Sequence, residues 1–96
     1  MPIDGFVAPG WQGVADAFAH NIESREDIGA GVAVFHKGEC VVDIAGGYFD
    51  KEATQPYTRD TLQLVFSTTK GVVATAVAIC VERGLLAYEQ PVSLYW

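Results

Sequence analysis

Ser67 and Lys70 carry the most chemistry in this sequence, within Val65-Phe66-Ser67-Thr68-Thr69-Lys70-Gly71. On a helix, positions i and i+3 share a face, so the hydroxyl and the amine can reach one pocket. A neutral lysine amine beside a serine can take its proton and turn the oxygen into a nucleophile. The apolar run Val72 to Val81 follows at once, so the pattern predicts a helix from about Ser67 to Arg83 with Gly84 as its left-handed terminator. A first-turn lysine lies near the positive end of the helix dipole, and here it heads a helix with no polar face. Both conditions favour the uncharged amine. The free N–H groups of the same turn can stabilise an oxyanion. The plainer alternative makes Ser67 a helix N-cap and Lys70 a solvated surface residue. Ser-x-x-Lys alone is a weak signal, because both residues are common.

Other reactive side chains point to no second chemistry. His20, His36, Cys40 and Cys80 are isolated in the sequence, without zinc-ligand spacing. His20 suits the end of a first helix and His36 an exposed strand end. The two cysteines read as free thiols rather than a disulfide. Thr68 and Thr69 read as cap and packing residues. No Gly-x-Ser-x-Gly elbow and no glycine-rich phosphate loop is present.

The elements that must position the pair follow from periodicity. Trp11, Val14, Phe18 and Ile22 recur at helical spacing, predicting an amphipathic helix over roughly Gly10 to Ser24, closed off by Asp27 and Gly29. Two β-rich runs, Gly31 to His36 and Glu39 to Ala45, flank Lys37-Gly38 and predict an antiparallel hairpin. The first run is almost wholly apolar, as expected of a strand covered on both faces. Gly46 to Asp50 is expected to bulge or to begin a third short strand. Lys51 to Asp60 reads as a loop, Leu62 to Val65 as a short extended segment, and Pro91 as the start of a last helical turn. The fold class is therefore α+β, with helix, hairpin and nucleophile helix in that order.

Composition bounds the function. With 96 residues, half of them apolar and 19% charged, the chain is a single small folded unit. A net charge of −6 with scattered basic residues argues against nucleic acid or an anionic membrane as partner. No apolar run is long enough to span a bilayer, and the N-terminus lacks the features of a secretory signal, so a cytoplasmic location is expected. A helix apolar all round must be buried all round, and one helix and one hairpin cannot enclose it. The sequence also stops three residues after a new turn begins, at an aromatic pair. The expectation is an N-terminal piece, an incomplete fold.

Several motifs in order carry a resemblance: Gly46-Gly47, Asp60-Thr61-Leu62, Phe66-Ser67-Thr68-Thr69-Lys70-Gly71, Glu82-Arg83-Gly84-Leu85-Leu86 and Pro91-Val92. The whole chain resembles the N-terminal segment of the serine β-lactamase superfamily, nearest its class C-like esterases. The resemblance implies a β-lactamase/transpeptidase-like domain with residues 1–96 as its first part. It implies Ser67 as the acylated nucleophile, Lys70 as its proton partner, and a nucleophile helix buried between an α/β and an all-helical domain. It implies a small ester or amide substrate; carboxylic esters are favoured over β-lactams because no export signal is seen, and no cofactor is implied, since serine and lysine suffice for acyl transfer. Oligomeric state is left open. The family's Tyr-x-Asn and Lys-Thr-Gly or His-variant motifs do not occur here. Tyr48, Tyr57, Tyr88 and Tyr95 read as packing or loop residues. A truncated, catalytically incomplete product, at most an interaction module, is the alternative.

Overall fold

The computed structural model describes residues 3–24 and 26–96. They fall into two compact units, one ending at Leu62 and one beginning at Gln63. The first unit holds strand β1 (Ile3–Val7), helix α1 (Gln12–Glu23), strand β2 (Gly29–His36) and strand β3 (Glu39–Gly47). The strands form one antiparallel sheet in the order β1-β3-β2.

The predicted hairpin is β2 and β3. Lys37 and Gly38 both take positive φ, 51° and 81°, as a two-residue turn matched to the right-handed strand twist requires. The ladder slips once: Val34 pairs with Val42 and Phe35 with Cys40, which leaves Val41 as an extra residue in β3. Such a bulge breaks the strict alternation of sides, and here Val41 and Val42 are both buried in the core. The Val41 carbonyl accepts the Ala8 N–H at 2.8 Å, and the Ala8 carbonyl accepts that of Trp11 at 3.1 Å. This short relay ties the start of α1 to the central strand.

Trp11 at the N-cap of helix α1, and Val14, Ala15 and Phe18 on it, pack against Val41, Val42 and Ile44, as do Val7 of β1 and Val32 and Val34 of β2. The predicted apolar stripe is therefore the buried face, and Ile22 is itself buried. His20 lies in the exposed last turn, and the ring of His36 sits 5.5 Å from that of Trp11.

Three expectations need correction. Ile3–Val7 was not expected to form a strand, yet it pairs with β3 from Ile3↔Gly46 to Val7↔Val42. The most covered strand is the central β3, where Val42 is fully buried and the successive residues Ile44 and Ala45 are nearly so. On β2 only Val32 and Val34 turn inward to the core, and Phe35 is 68% exposed. Gly46 and Gly47 extend β3 rather than starting a new strand, and Tyr48 forms an isolated bridge to Pro56. The loop from Tyr48 is held by Phe49 N–H to the Gln55 carbonyl and Tyr57 N–H to the Gly47 carbonyl. The Asp50 carboxylate, which accepts from both the hydroxyl and the N–H of Thr54, is held below the usual carboxylate range by those bonds, the hydroxyl's first.

The second unit holds a 3₁₀ turn at Phe66–Thr68, helix α2 (Thr69–Glu82) and a second 3₁₀ turn at Val92–Leu94. Helix α2 ends as predicted. Gly84 takes φ 74°, its N–H reaches the Val81 carbonyl at 3.0 Å, and the Leu85 N–H reaches that of Cys80 at 2.9 Å. These are the two bonds of a Schellman termination. Pro91 caps the last turn, and the Tyr95 hydroxyl accepts the Ala87 N–H at 2.9 Å, closing the connector between them. Within its own unit α2 has no buried residue, and Val72 and Val73 are 65% and 57% exposed.

The core assignment predicts unequal costs on the two faces of the sheet. Ile44→Ala should lose about 2–5 kcal/mol, whereas Phe35→Ala should stay within about 0.5 kcal/mol. Urea unfolding followed by tryptophan fluorescence checks this. Equal losses would mean that the outer face of β2 is covered after all.

Candidate active site

The segment leading to Ser67 has no regular structure from Leu62 to Leu64. It then turns sharply: Val65 takes φ −114° and ψ 3°, and Phe66 takes φ 46°. A positive φ at a bulky residue is a genuine outlier, of the kind that costs on the order of 1–3 kcal/mol and tends to collect at functional sites. The Thr68 N–H bonds back to the Val65 carbonyl at 3.1 Å, which makes the first turn a 3₁₀ turn. The α-helix proper starts at Thr69, two residues later than predicted.

The turn keeps Ser67 out of a capping role. The cap positions are Val65 for the 3₁₀ turn and Thr68 for α2, and neither makes a side-chain cap bond. Thr68 is thus a cap by position only, and Thr75 back-bonds to the Gly71 carbonyl at 2.8 Å. Ser67 and Lys70 line the same open concavity of about 460 Å³, together with Phe66, Thr69 and Val73. The pair predicted from spacing therefore shares one surface. Lys70 is exposed, so the desolvation expected for it is not supplied by its own unit.

The remaining candidates stay apart from this concavity. Cys40 and Cys80 are free thiols, and the Cys40 thiol points at the Val42 carbonyl at 3.3 Å. Among the described residues, no group of three or more His, Cys, Asp or Glu side chains could hold a metal ion, and no helix is long and apolar enough to cross a membrane. Sequence reading gave Arg59 no role beyond membership of a loop. It donates from its backbone N–H and its Nε to Asp4 Oδ2, at 3.1 and 3.3 Å, and from Nη1 to Asp43 Oδ2 at 3.3 Å. Its partners lie 55 and 16 residues away, so no local pattern marks them.

Comparison with known proteins identifies the family. The family model described as Beta-lactamase matches residues 14–96. The chain belongs to the beta-lactamase family. Within it, the chain is 38% identical over 92 residues to the esterase/beta-lactamase LipL of Mycobacterium tuberculosis, covering 96% of this chain and 21% of that protein. It is 40% identical over 76 residues to esterase EstB of Burkholderia gladioli, covering 79% of this chain and 19% of that one. A crystal structure of a family VIII carboxylesterase superposes on the entire chain with a TM-score of 0.93 and 40% identity, over 26% of its own length. The chain thus spans about a fifth to a quarter of these beta-lactamase-family relatives. The α+β, β-lactamase-like fold expected from the sequence is the fold observed, in part.

The backbone at Phe66 yields a stability prediction. Its side chain is 77% exposed, so replacing it costs little burial. Phe66→Gly should range from neutral to about 1 kcal/mol stabilising, and Phe66→Val should lose about 1 kcal/mol or more. Denaturant titration of the helical circular-dichroism signal checks this, and the opposite order would overturn the strained-turn assignment.

Proposed function

We propose that this chain carries the nucleophile and its proton partner for a serine hydrolase that cleaves small carboxylic esters through an acyl-enzyme. One observation carries the reading: Ser67 and Lys70 line a single concavity at the head of α2, in a chain of the beta-lactamase family. Ester substrates are favoured because the relatives are named as esterases and a carboxylesterase. The beta-lactamase in one of those names keeps strained cyclic amides as the second class to test.

In this reading, Ser67 Oγ attacks the acyl carbon while its proton passes to the Lys70 amine. The carbonyl oxygen takes up the electron pair, and the N–H groups of the first turn stabilise its developing charge. Collapse expels the alcohol, which takes the proton back from Lys70, and leaves the acyl group on Ser67. Water, deprotonated in the same way, then releases the acid and restores the serine. Serine and lysine suffice for this sequence of steps, so no cofactor is invoked.

The exposed sides of α2 favour a companion reading for the 96 residues taken alone. Val72 and Val73 are exposed, and the chain spans only 19–26% of the length of its relatives. In this reading residues 1–96 are the N-terminal segment of one hydrolase domain, catalytically incomplete in isolation. Exposed apolar patches of this kind drive association, so the isolated chain should self-associate on size exclusion. A sharp monomer peak with cooperative unfolding would count against incompleteness.

In a form extended to the length of its relatives, Ser67→Ala should abolish covalent labelling by a phosphonylating probe. Lys70→Ala should slow acylation by about 10²–10⁴, the usual size of a lost acid–base group. Undiminished labelling of Ser67→Ala would sink the nucleophile assignment, and a wild-type rate in Lys70→Ala would remove lysine as the base.

A further inference from the structure

Phe66 stands immediately before Ser67 with φ 46°, a conformation that glycine takes without strain and a bulky residue does not. It is exposed, so its own unit gains no burial from the ring. Residues held in such sparsely populated conformations cluster at active sites. Here Phe66 borders the concavity that holds Ser67 and Lys70.

Val73 borders the same concavity and is exposed as well. Phe66, Lys70 and Val73 are four and then three positions apart, the spacing of one helical stripe. Lys70 stands between the two apolar residues, and the methylene stem of a lysine is itself apolar surface. A ring, a hydrocarbon stem and a valine therefore follow one another beside the serine. All the residues around the concavity belong to the second unit, so the stripe is complete within it.

The chemistry at Ser67 decides which part of an ester lies on this stripe. The alcohol departs in the first half of the reaction, whereas the acyl group stays bonded to Ser67 Oγ until water releases it. A group tethered there meets the neighbouring side chains at the high effective concentration of an intramolecular contact. Apolar neighbours of the nucleophile thus select on the acyl side.

The length of the stripe sets a size. From Ser67 to Val73 the backbone rises about 10 Å, two 3₁₀ steps of ~2.0 Å and four α-helical steps of ~1.5 Å. A zigzag hydrocarbon chain with bonds of about 1.5 Å advances roughly 1.3 Å per carbon. An acyl group of about six to eight carbons therefore reaches Val73.

We propose that Phe66 and Val73 are specificity-determining residues that hold the acyl chain, and that they select straight apolar acyl groups of about six to eight carbons over acetyl. The proposal rests on the reading of Ser67 as the nucleophile. A fully buried methylene is worth about fourfold in binding, and one lying on a wall open to one side about twofold.

The test uses a form extended to the length of the relatives, with p-nitrophenyl acetate, hexanoate and octanoate, which share one alcohol. Wild-type kcat/KM should rise at least about tenfold from acetate to hexanoate. Phe66→Gly removes the ring and relieves the backbone, and Val73→Thr keeps the branched shape but adds a hydroxyl. Each should lower the hexanoate-to-acetate ratio severalfold, while Val73→Ile should keep it. The ratio is the readout, because a displaced Ser67 slows every ester alike. Val73→Thr carries the test if Phe66→Gly fails to fold.

A wild-type ratio near one overturns the proposal. So does a ratio that neither Phe66→Gly nor Val73→Thr lowers, even where both lose rate on all three esters, since that is the mark of packing residues. Turnover undiminished in Ser67→Ala overturns the nucleophile reading, and this proposal with it. Turnover lost in Ser67→Ala beside an unaltered ratio in Phe66→Gly and Val73→Thr overturns this proposal alone.

Discussion

Everything in the first unit depends on β3 being paired along both of its edges. A central antiparallel strand satisfies its backbone groups on two sides, so it can be buried without leaving orphaned donors or acceptors. That is why Val42 can be fully buried and why the core gathers around it. The extra residue at Val41 turns two successive valines to account in the core and lends its carbonyl to the chain entering α1. Sheet, helix and loop are all fastened to this one strand.

Much of the fold was legible because its signals are local. The Lys37-Gly38 turn, the α1 stripe of Trp11, Val14, Phe18 and Ile22, and the Gly84 terminator each depend on a few neighbouring residues. The features that escaped depend on distant partners. Strand β1 is only five residues long, with Asp4 and Gly5 interrupting its apolar pattern, and it exists because β3 offers an edge some forty residues away. The Arg59 clasp joins three separate segments and leaves no periodic trace. The late start of α2 was missed because the 3₁₀ turn is set by the backbone of Phe66, a residue whose type gives no warning of positive φ.

The candidate site divides in the same way. The spacing of Ser67 and Lys70 was enough to place them on one surface, since i and i+3 are neighbours on either type of turn. The surroundings of Lys70 were not legible, because they depend on what covers α2. The helix has 14 residues, about 21 Å of length, and none of them is buried within its own unit. Local spacing and the folded turn thus agree in bringing Ser67 and Lys70 to one concavity.

The strand order has a consequence for how the protein is made. Among the described residues every strand pairing lies between Ile3 and Gly47, so these three strands are made well before the apolar helix is translated. At about 5–20 residues per second, the last strand is made within several seconds, while a hairpin closes in about 1–10 μs. The sheet can therefore be standing on the ribosome when the hydrophobic run from Val72 emerges. A nascent chain that meets water with this adhesive segment after its three-stranded sheet, on an already folded base, has less time and less loose polypeptide with which to go astray.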